Sequence, residues 1–366
     1  MGVGRDLWVK RDDVSGVRYG GNKVRTLEAL FGAARAAGAR RIWAVGAVGS
    51  NHALATVLHA RAAGLEPGVM LFPQPVTACA RENLVATLAE RPALRSLWSW
   101  AAVPFAVFAE RVAGRLAELV AERFSERRGA GSYVMVPGGA TPEGALGYVS
   151  AALEVAEQAA AGVAPLPRRV VVGAGSTCTS AGLLAGFVLA GRLGLLDVHA
   201  VPEIMAVRVT PWPVTSAFRI VSLAGRTAAL VARLAGVPRL AAGGAELAAR
   251  LTVLGGFIGR GYGHVTESGL RAAAAFAEAG GPPLDTCYSA KAAAALLAEE
   301  REGPTLFWAT KSSRPLPPAP APLPADLACP DADRAGPAAI PRAFSRWLER
   351  PIPALPWRSK HEIPVG

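Results

Sequence analysis

The residues equipped for chemistry begin with one lysine. In RYGGNKVRTLEA, residues 18–29, two glycines and an asparagine lead into Lys23, and a helical pattern starts directly behind it. A lysine becomes a nucleophile or a base only when its ammonium loses a proton, which desolvation or a nearby positive group brings about. Glycines at 20 and 21 permit close backbone approach and Asn22 adds a polar group, so the setting suits a lysine facing a carbonyl. Taken alone, it fits a solvated lysine at a helix start better, since most lysines are exposed.

Four more stretches carry usable groups. GSNH, residues 49–52, places Ser50 and Asn51 where a strand turns into a helix. That is the edge at which open α/β sheets bind ligands, and a helix N-terminus there favours an anion. Simple capping by Ser50 explains the stretch as well. In GAGSTCTSAG, residues 173–182, Gly175, Ser176, Thr177, Cys178 and Thr179 would offer backbone N–H groups and hydroxyls to a phosphate. A dinucleotide loop fits less well: Cys178 holds the third glycine position, and Glu203 comes later than the expected acidic partner. No GK[ST] follows, which excludes a nucleotide-triphosphate loop. IGRGYGHVTESG (258–269) and DTCYSAKA (285–292) set Tyr262 and Tyr288 at turns before helices, as acids or hydrogen-bond donors. Ser289 either caps its helix or offers an oxygen to a ring nitrogen; for both stretches local capping and edge packing remain open.

The elements that position these groups alternate short β-branched runs with alanine-rich helical stretches, the pattern of parallel α/β architecture. RRIWAVGAVGS, PGVMLF, SYVMVPGG, RRVVVGAGS, VHAVPEIMAV and TLFWAT read as strands. NHALATVLHARAAGL reads as a helix capped by Ser50 and stopped at Gly64, and TPEGALGYVSAALEVAEQAA, SAGLLAGFVLAGRLG and SAKAAAALLAEE as further helices. From Pro315 prolines crowd the chain, so residues 315–366 read as an extended or disordered tail in which AFSRWLER forms one or two amphipathic turns.

Composition bounds the function. At 366 residues the chain is long enough for two cores. The formal charge of +11 comes from arginines scattered over helix faces, with no dense basic run and no interleaved aromatics, so it argues for a solvated basic surface and against a nucleic-acid partner. Cys79, Cys178, Cys287 and Cys329 form no CxxC pair, and the five histidines are dispersed, so no metal site is expected. No apolar run is long enough for a membrane span, and a cytoplasmic setting is expected.

Taken together, KRDD, GGNKVR, GAVGSNHA, VPGGATPEGALGYVSAA, the GS..T-x-AG loop, GYG and YSAKA occur in an order that resembles the 1-aminocyclopropane-1-carboxylate deaminase / D-cysteine desulfhydrase family. The resemblance spans roughly residues 7–310. It implies pyridoxal 5′-phosphate as cofactor and the tryptophan synthase β-like fold, type II: two parallel-sheet α/β domains with the cofactor in the cleft. The implied large domain is residues 1–36 with 136–314, and the small domain residues 37–135. By position, Lys23 matches the lysine that bonds the cofactor and moves the Cα proton, and Ser50 the serine facing the substrate. Asn51 matches the residue that hydrogen-bonds the cofactor's 3′ oxygen. Gly175 to Thr179 match the phosphate loop, Tyr262 and Tyr288 the tyrosines near the substrate, and Ser289 the group that meets the pyridine nitrogen. A homodimer acting on a small amino acid is also implied.

His52 and Ser289 stand where the deaminase branch has glutamine and glutamate, which places this chain on the desulfhydrase side. The implied reaction is β-elimination to a keto acid, ammonia and a leaving group such as sulfide. Aminocyclopropane-carboxylate deamination is the alternative, and a non-catalytic cofactor-binding member is another. The departures from the family are Thr177 and Cys178 in place of two loop glycines, Thr310-Lys311-Ser312 in place of a TGG-like turn, an N-terminus that starts one strand and helix late, and an unusual Arg91–Arg115.

Overall fold

A computed structural model describes residues 6–123, 131–299, 302–316 and 342–353. The chain divides into two compact units. The first holds residues 1–26, 140–314 and 353–366; the second holds 27–139 and 315–352.

The first unit is built on a five-stranded sheet in the order β1-β9-β6-β7-β8, with every pairing parallel. Its strands are β1 (Leu7–Lys10), β6 (Arg169–Ala174), β7 (Glu203–Arg208), β8 (Leu251–Leu254) and β9 (Thr305–Trp308). Side chains alternate across a strand, and the sheet uses both faces. Val170, Val172, Ile204, Ala206, Leu306 and Trp308 pack against α5 (Pro142–Ala160), α6 (Cys178–Arg192) and α7 (Ala217–Ala235). Val171, Met205, Val207 and Phe307 pack against α9 (Glu267–Glu278) and α10 (Ser289–Ala298). A short α8 (Gly244–Ala248) precedes β8. The run VHAVPEIMAV is not one strand: Asp197 caps a tight turn at Val198–Ala200, and pairing begins only after Pro202, which has no N–H to donate to a ladder.

The second unit carries a four-stranded parallel sheet, β4-β3-β2-β5. The strands are β2 (Arg41–Ala47), β3 (Glu66–Phe72), β4 (Ala93–Ser96) and β5 (Ser132–Val134). Its helices are most of α1 (Asn22–Ala36), with α2 (Asn51–Ala60), α3 (Ala78–Ala89), α4 (Val103–Arg123) and α11 (Arg342–Glu349). Trp43 and Val45 of β2 share a core with Met70, Leu97, Ala102 and Val134. The unusual Arg91–Arg115 segment supplies β4 and the start of α4, and leaves Trp98, Trp100, Phe105 and Phe108 exposed. AFSRWLER lies in α11, whose Phe344 and Trp347 are buried; the rest of the proline-rich tail, apart from residues 315–316 and 350–353, lies outside the described residues.

Among the described residues no helix is long and apolar enough to cross a membrane.

Candidate active site

Lys23 sits on a turn that only glycine can make. Gly21 has φ +89°, and a Cβ there would lie 2.7 Å from Thr310 O and 2.9 Å from Ser312 N. A Cβ on Gly20 would lie 2.5 Å from Asp13 O. The turn is therefore threaded between two backbone segments, as close approach by glycine allows. It is also bonded to both. Gly21 N donates to Asp12 O (2.7 Å), Asn22 N donates to Thr310 O (2.7 Å), and Gly20 N donates to Ser312 Oγ (3.0 Å). The Thr310-Lys311-Ser312 turn thus does a specific job: it fixes the entry to α1.

Beneath the turn lies a buried carboxylate. Asp12 is 1% exposed; its Oδ1 accepts from Arg25 Nε at 3.0 Å, and its Oδ2 accepts from Tyr148 Oη and Trp308 Nε1, each at 2.7 Å. Arg25 also reaches Glu154 at 2.9 Å, which in turn pairs with Lys10 at 2.6 Å. Burial, then the charge of Asp12, pushes the Tyr148 phenol well above its ordinary range. Arg25 lies two residues beyond Lys23, so this network sets the first turn of α1.

The first turn of α1 meets the start of α6. Asn22 Nδ2 donates to Thr179 Oγ1 (3.1 Å), and Thr26 Oγ1 lies 3.9 Å from Cys178 Sγ. Burial lowers the pKa of Lys23 below the ordinary lysine value, and the neighbouring Cys178 sulfur acts in the opposite sense. Lowering the pKa of a half-buried lysine makes its proton easier to lose, which is the direction a nucleophile or proton acceptor needs.

The loop from Gly175 to Thr179 joins β6 to α6. Thr177 is the residue before the helix and has φ +74°, a conformation that a side chain rarely adopts. It is held from behind: Thr215 Oγ1 and Thr210 Oγ1 donate to Gly175 O at 2.5 Å and 3.2 Å. Cys178 is fully buried and turned toward α1, which explains how a side chain is tolerated where the family resemblance leads one to expect glycine. The first N–H groups of a helix have no acceptor within it, so the start of α6 is suited to an anion. Ser180 Oγ, in the first turn, is buried with no hydrogen-bond partner among the described residues.

Tyr288 closes the other side. A Cβ on Gly175 would lie 2.9 Å from its Cε1, so glycine is required there for the ring to pack on the loop. Tyr288 Oη is 2.9 Å from Tyr262 Oη, and the two rings meet edge to face at 6.1 Å. Burial and Tyr262 push the Tyr288 phenol well above its ordinary range, so it stays protonated. Ser289 does not cap α10. Asp285 does: its Oδ1 accepts from Cys287 N (3.0 Å) and Tyr288 N (2.7 Å), and its Oδ2 from Ser289 N (3.0 Å). The Ser289 hydroxyl is left to meet Thr310 Oγ1 at 3.3 Å. The first unit therefore gathers Lys23, the 175–179 loop, Tyr262, Tyr288 and Ser289 around one turn.

Ser50 and Asn51 belong to the second unit. Ser50 caps α2, its Oγ accepting from Ala53 N at 3.2 Å. Asn51 Oδ1 accepts from Asn83 Nδ2 at 2.7 Å, and the same amide donates to Gly49 O at 2.9 Å. Asn83 is a support of Asn51 that the sequence alone does not mark: it lies mid-helix in α3 with no local motif around it. Asp285, by contrast, had a signal, an acid just ahead of a helix start.

A family model for "Pyridoxal-phosphate dependent enzyme" matches residues 2–306. The chain is 34% identical over 328 residues to the Nocardicin C-9' epimerase of Nocardia uniformis subsp. tsuyamanensis, across 89% of this chain and 92% of that one. It is 32% identical over 311 residues to the D-cysteine desulfhydrase of Salmonella paratyphi C, across 83% and 86%. A crystal structure of an ACC deaminase homologue matches 84% of each chain with a TM-score of 0.64 at 28% identity. These likenesses agree with the deaminase and desulfhydrase resemblance read from the motifs, with the fold type II architecture and with the cofactor. The chain belongs to the pyridoxal-phosphate dependent enzymes, a family that acts on small amino-acid substrates.

Proposed function

We propose that this enzyme is a D-cysteine desulfhydrase-like lyase, converting a small β-substituted amino acid and water into a keto acid, ammonia and the released β group. The observation that carries the reading is Lys23: it is half-buried, its pKa is lowered, and the start of α1 is hydrogen-bonded to the start of α6. The residues of the first unit fit the cofactor. An amine of lowered pKa stands ready for an aldehyde, a helix N-terminus with an unpartnered Ser180 hydroxyl beside it suits a phosphate, and a neutral hydroxyl pair, Ser289 with Thr310, suits a ring nitrogen that carries no proton.

When bound, pyridoxal phosphate supplies an electron sink for the electrons of the broken Cα–H bond. The chain does the rest. Gly175 to Thr179 would hold the phosphate end, and Asn51, whose amide oxygen accepts from Asn83, would serve the 3′ oxygen. Lys23 Nζ takes the Cα proton. Ser50 would face the substrate, and Tyr262 and Tyr288 would donate hydrogen bonds toward it, since the Tyr288 phenol keeps its proton. Ser289 cannot hold the ring nitrogen protonated as a carboxylate would, which favours loss of the β group over long storage of negative charge. The same proposal includes a homodimer, a cytoplasmic setting, and a large domain of residues 1–36 and 136–314 beside a small one of 37–135.

Two other readings have support. Aminocyclopropane-carboxylate deamination follows from the ACC deaminase likeness. Epimerisation at Cα is favoured by the Nocardicin C-9' epimerase, which matches across 89% of this chain.

The test compares wild type with Lys23→Ala. Wild type with cofactor is expected to show the visible band of a lysine-bound cofactor and to release keto acid and sulfide from D-cysteine; the variant is expected to lack both. Inversion at Cα without keto acid would favour epimerisation instead. A band of equal strength in Lys23→Ala would overturn the assignment of Lys23.

A further inference from the structure

Lys291 is fully buried in the first turn of α10, and has no part in the chemistry above. Lysine is among the residues least often found at this depth, because an ammonium without partners loses far more in desolvation than it gains. A methionine would fill the same volume at no such cost. The lysine must therefore be held by something that uses it.

What holds it is the loop that carries Tyr262. Lys291 Nζ donates to Ile258 O at 2.8 Å and to Gly261 O at 3.3 Å. Both carbonyls turn inward because the loop bends at three glycines in left-handed or related conformations: Gly259 (φ +65°), Gly261 (+136°) and Gly263 (+77°). Such a loop has little to stabilise it by itself, since glycines lose the most freedom on ordering. The carbonyls at 258 and 261 flank Gly259 and Arg260, so the ammonium ties the bend across its neck. Tyr262 follows at once, and its hydroxyl lies 2.9 Å from that of Tyr288, whose ring packs on Gly175. Burial lowers the pKa of Lys291, while Cys287 and Asp285 favour its charged form; the positive charges of Arg260 and Lys291 in turn help, after burial, to hold the His264 pKa below its ordinary value.

We infer that Lys291 is a positioning residue: its buried ammonium clamps the 258–263 loop and so fixes Tyr262 against Tyr288 beside the cofactor's phosphate loop. Its effect on turnover rests on the role proposed for Tyr262; the clamp itself does not.

The experiment has two arms on the cofactor-loaded enzyme. The first is limited trypsin digestion, with scission at the Arg260–Gly261 bond, whose arginine is exposed and whose glycine is half-buried, followed by mass spectrometry. Lys291→Met removes the donor at similar volume, and the local opening that exposes this bond is expected to rise about 10- to 100-fold, as two charge-assisted hydrogen bonds would imply. Lys291→Gln, which keeps a neutral donor, is expected to fall between, and it carries the comparison if the methionine variant does not fold. Scission no faster than in wild type in whichever variant folds would overturn the clamp. The second arm measures kcat and KM for Lys291→Met in wild-type and Tyr262→Phe backgrounds. A positioning residue acting through Tyr262 loses most of its effect once the phenol is gone; an equal loss in both backgrounds would overturn the link to Tyr262. The proteolysis arm needs no substrate, so an enzyme inactive on D-cysteine still tests the clamp.

Discussion

Replacing Asp12 by alanine should cost the first unit more than any single change at its surface. The carboxylate is 1% exposed and is the shared acceptor for Arg25 Nε, Tyr148 Oη and Trp308 Nε1. Its removal strands two buried neutral donors, each worth about 1–3 kcal/mol when left unsatisfied. It also strips Arg25 of its buried partner, leaving only Glu154, whose side chain is 38% exposed. Breaking a buried ion pair from one side costs about 3–5 kcal/mol. These contributions overlap, so we expect a loss of about 4–6 kcal/mol, most of the stability of an ordinary domain. The assay is urea unfolding in a double-mutant cycle with Tyr148→Phe. In the wild-type background that change should cost about 1–2 kcal/mol, because it breaks a hydrogen bond to a charged acceptor. In the Asp12→Ala background it should be neutral or stabilising, because it deletes a hydroxyl that has lost its partner. An equal cost of Tyr148→Phe in both backgrounds would refute the reasoning, since Tyr148 would then not depend on the carboxylate. The visible band of the bound cofactor should weaken in Asp12→Ala, because Arg25 and Lys23 share the first turn of α1.

Two further outcomes follow from the geometry around Lys23. Gly21→Ala puts a Cβ 2.7 Å from Thr310 O at φ +89°, so we expect about 1–3 kcal/mol of strain and a lower cofactor affinity, read by spectroscopic titration; unchanged affinity would show that the turn can shift freely. Cys178→Ala removes the sulfur that opposes the lowering of the Lys23 pKa, so that pKa should fall further. A folded-state lysine pKa below 10.5 means that the unfolded chain holds the extra proton between the two values, and stability rises with pH through that window. In Cys178→Ala the window should open at lower pH, and so should the pH profile for forming the cofactor band; a shift to higher pH would refute the coupling.

Much of the scaffold was legible because its signals are local. Ser50 before NHAL and the β-branched run RVVV each announce an element within a few residues, and the structure places α2 and β6 there. Short strands gave less warning: LWVK at β1 and ALRS at β4 are four residues each and only partly buried, so no apolar run marks them. The supports of the site were the least legible. Asp12, Tyr148 and Trp308 form one hydrogen-bonded cluster across separations of 136 and 296 residues, and only the packing of α5 and β9 on one sheet brings them together. Lys291 in YSAKA looked like part of a motif, and nothing in the sequence said that its ammonium would face the carbonyls of another loop.

The turn at Thr310–Ser312 has a consequence for how the enzyme is made. A ribosome delivers the N-terminal residues first. Lys23 and the phosphate loop emerge early, whereas Thr310 O and Ser312 Oγ, which fix the Lys23 turn, and β9, which pairs with β1, emerge late. Until then Gly20 N and Asn22 N lack Ser312 Oγ and Thr310 O, the acceptors that close the turn before Lys23. Completion of the turn before Lys23 therefore waits for the end of synthesis: a chain cut short before Ser312 keeps Lys23, the phosphate loop and both tyrosines, but lacks the hydroxyl that accepts from Gly20 N.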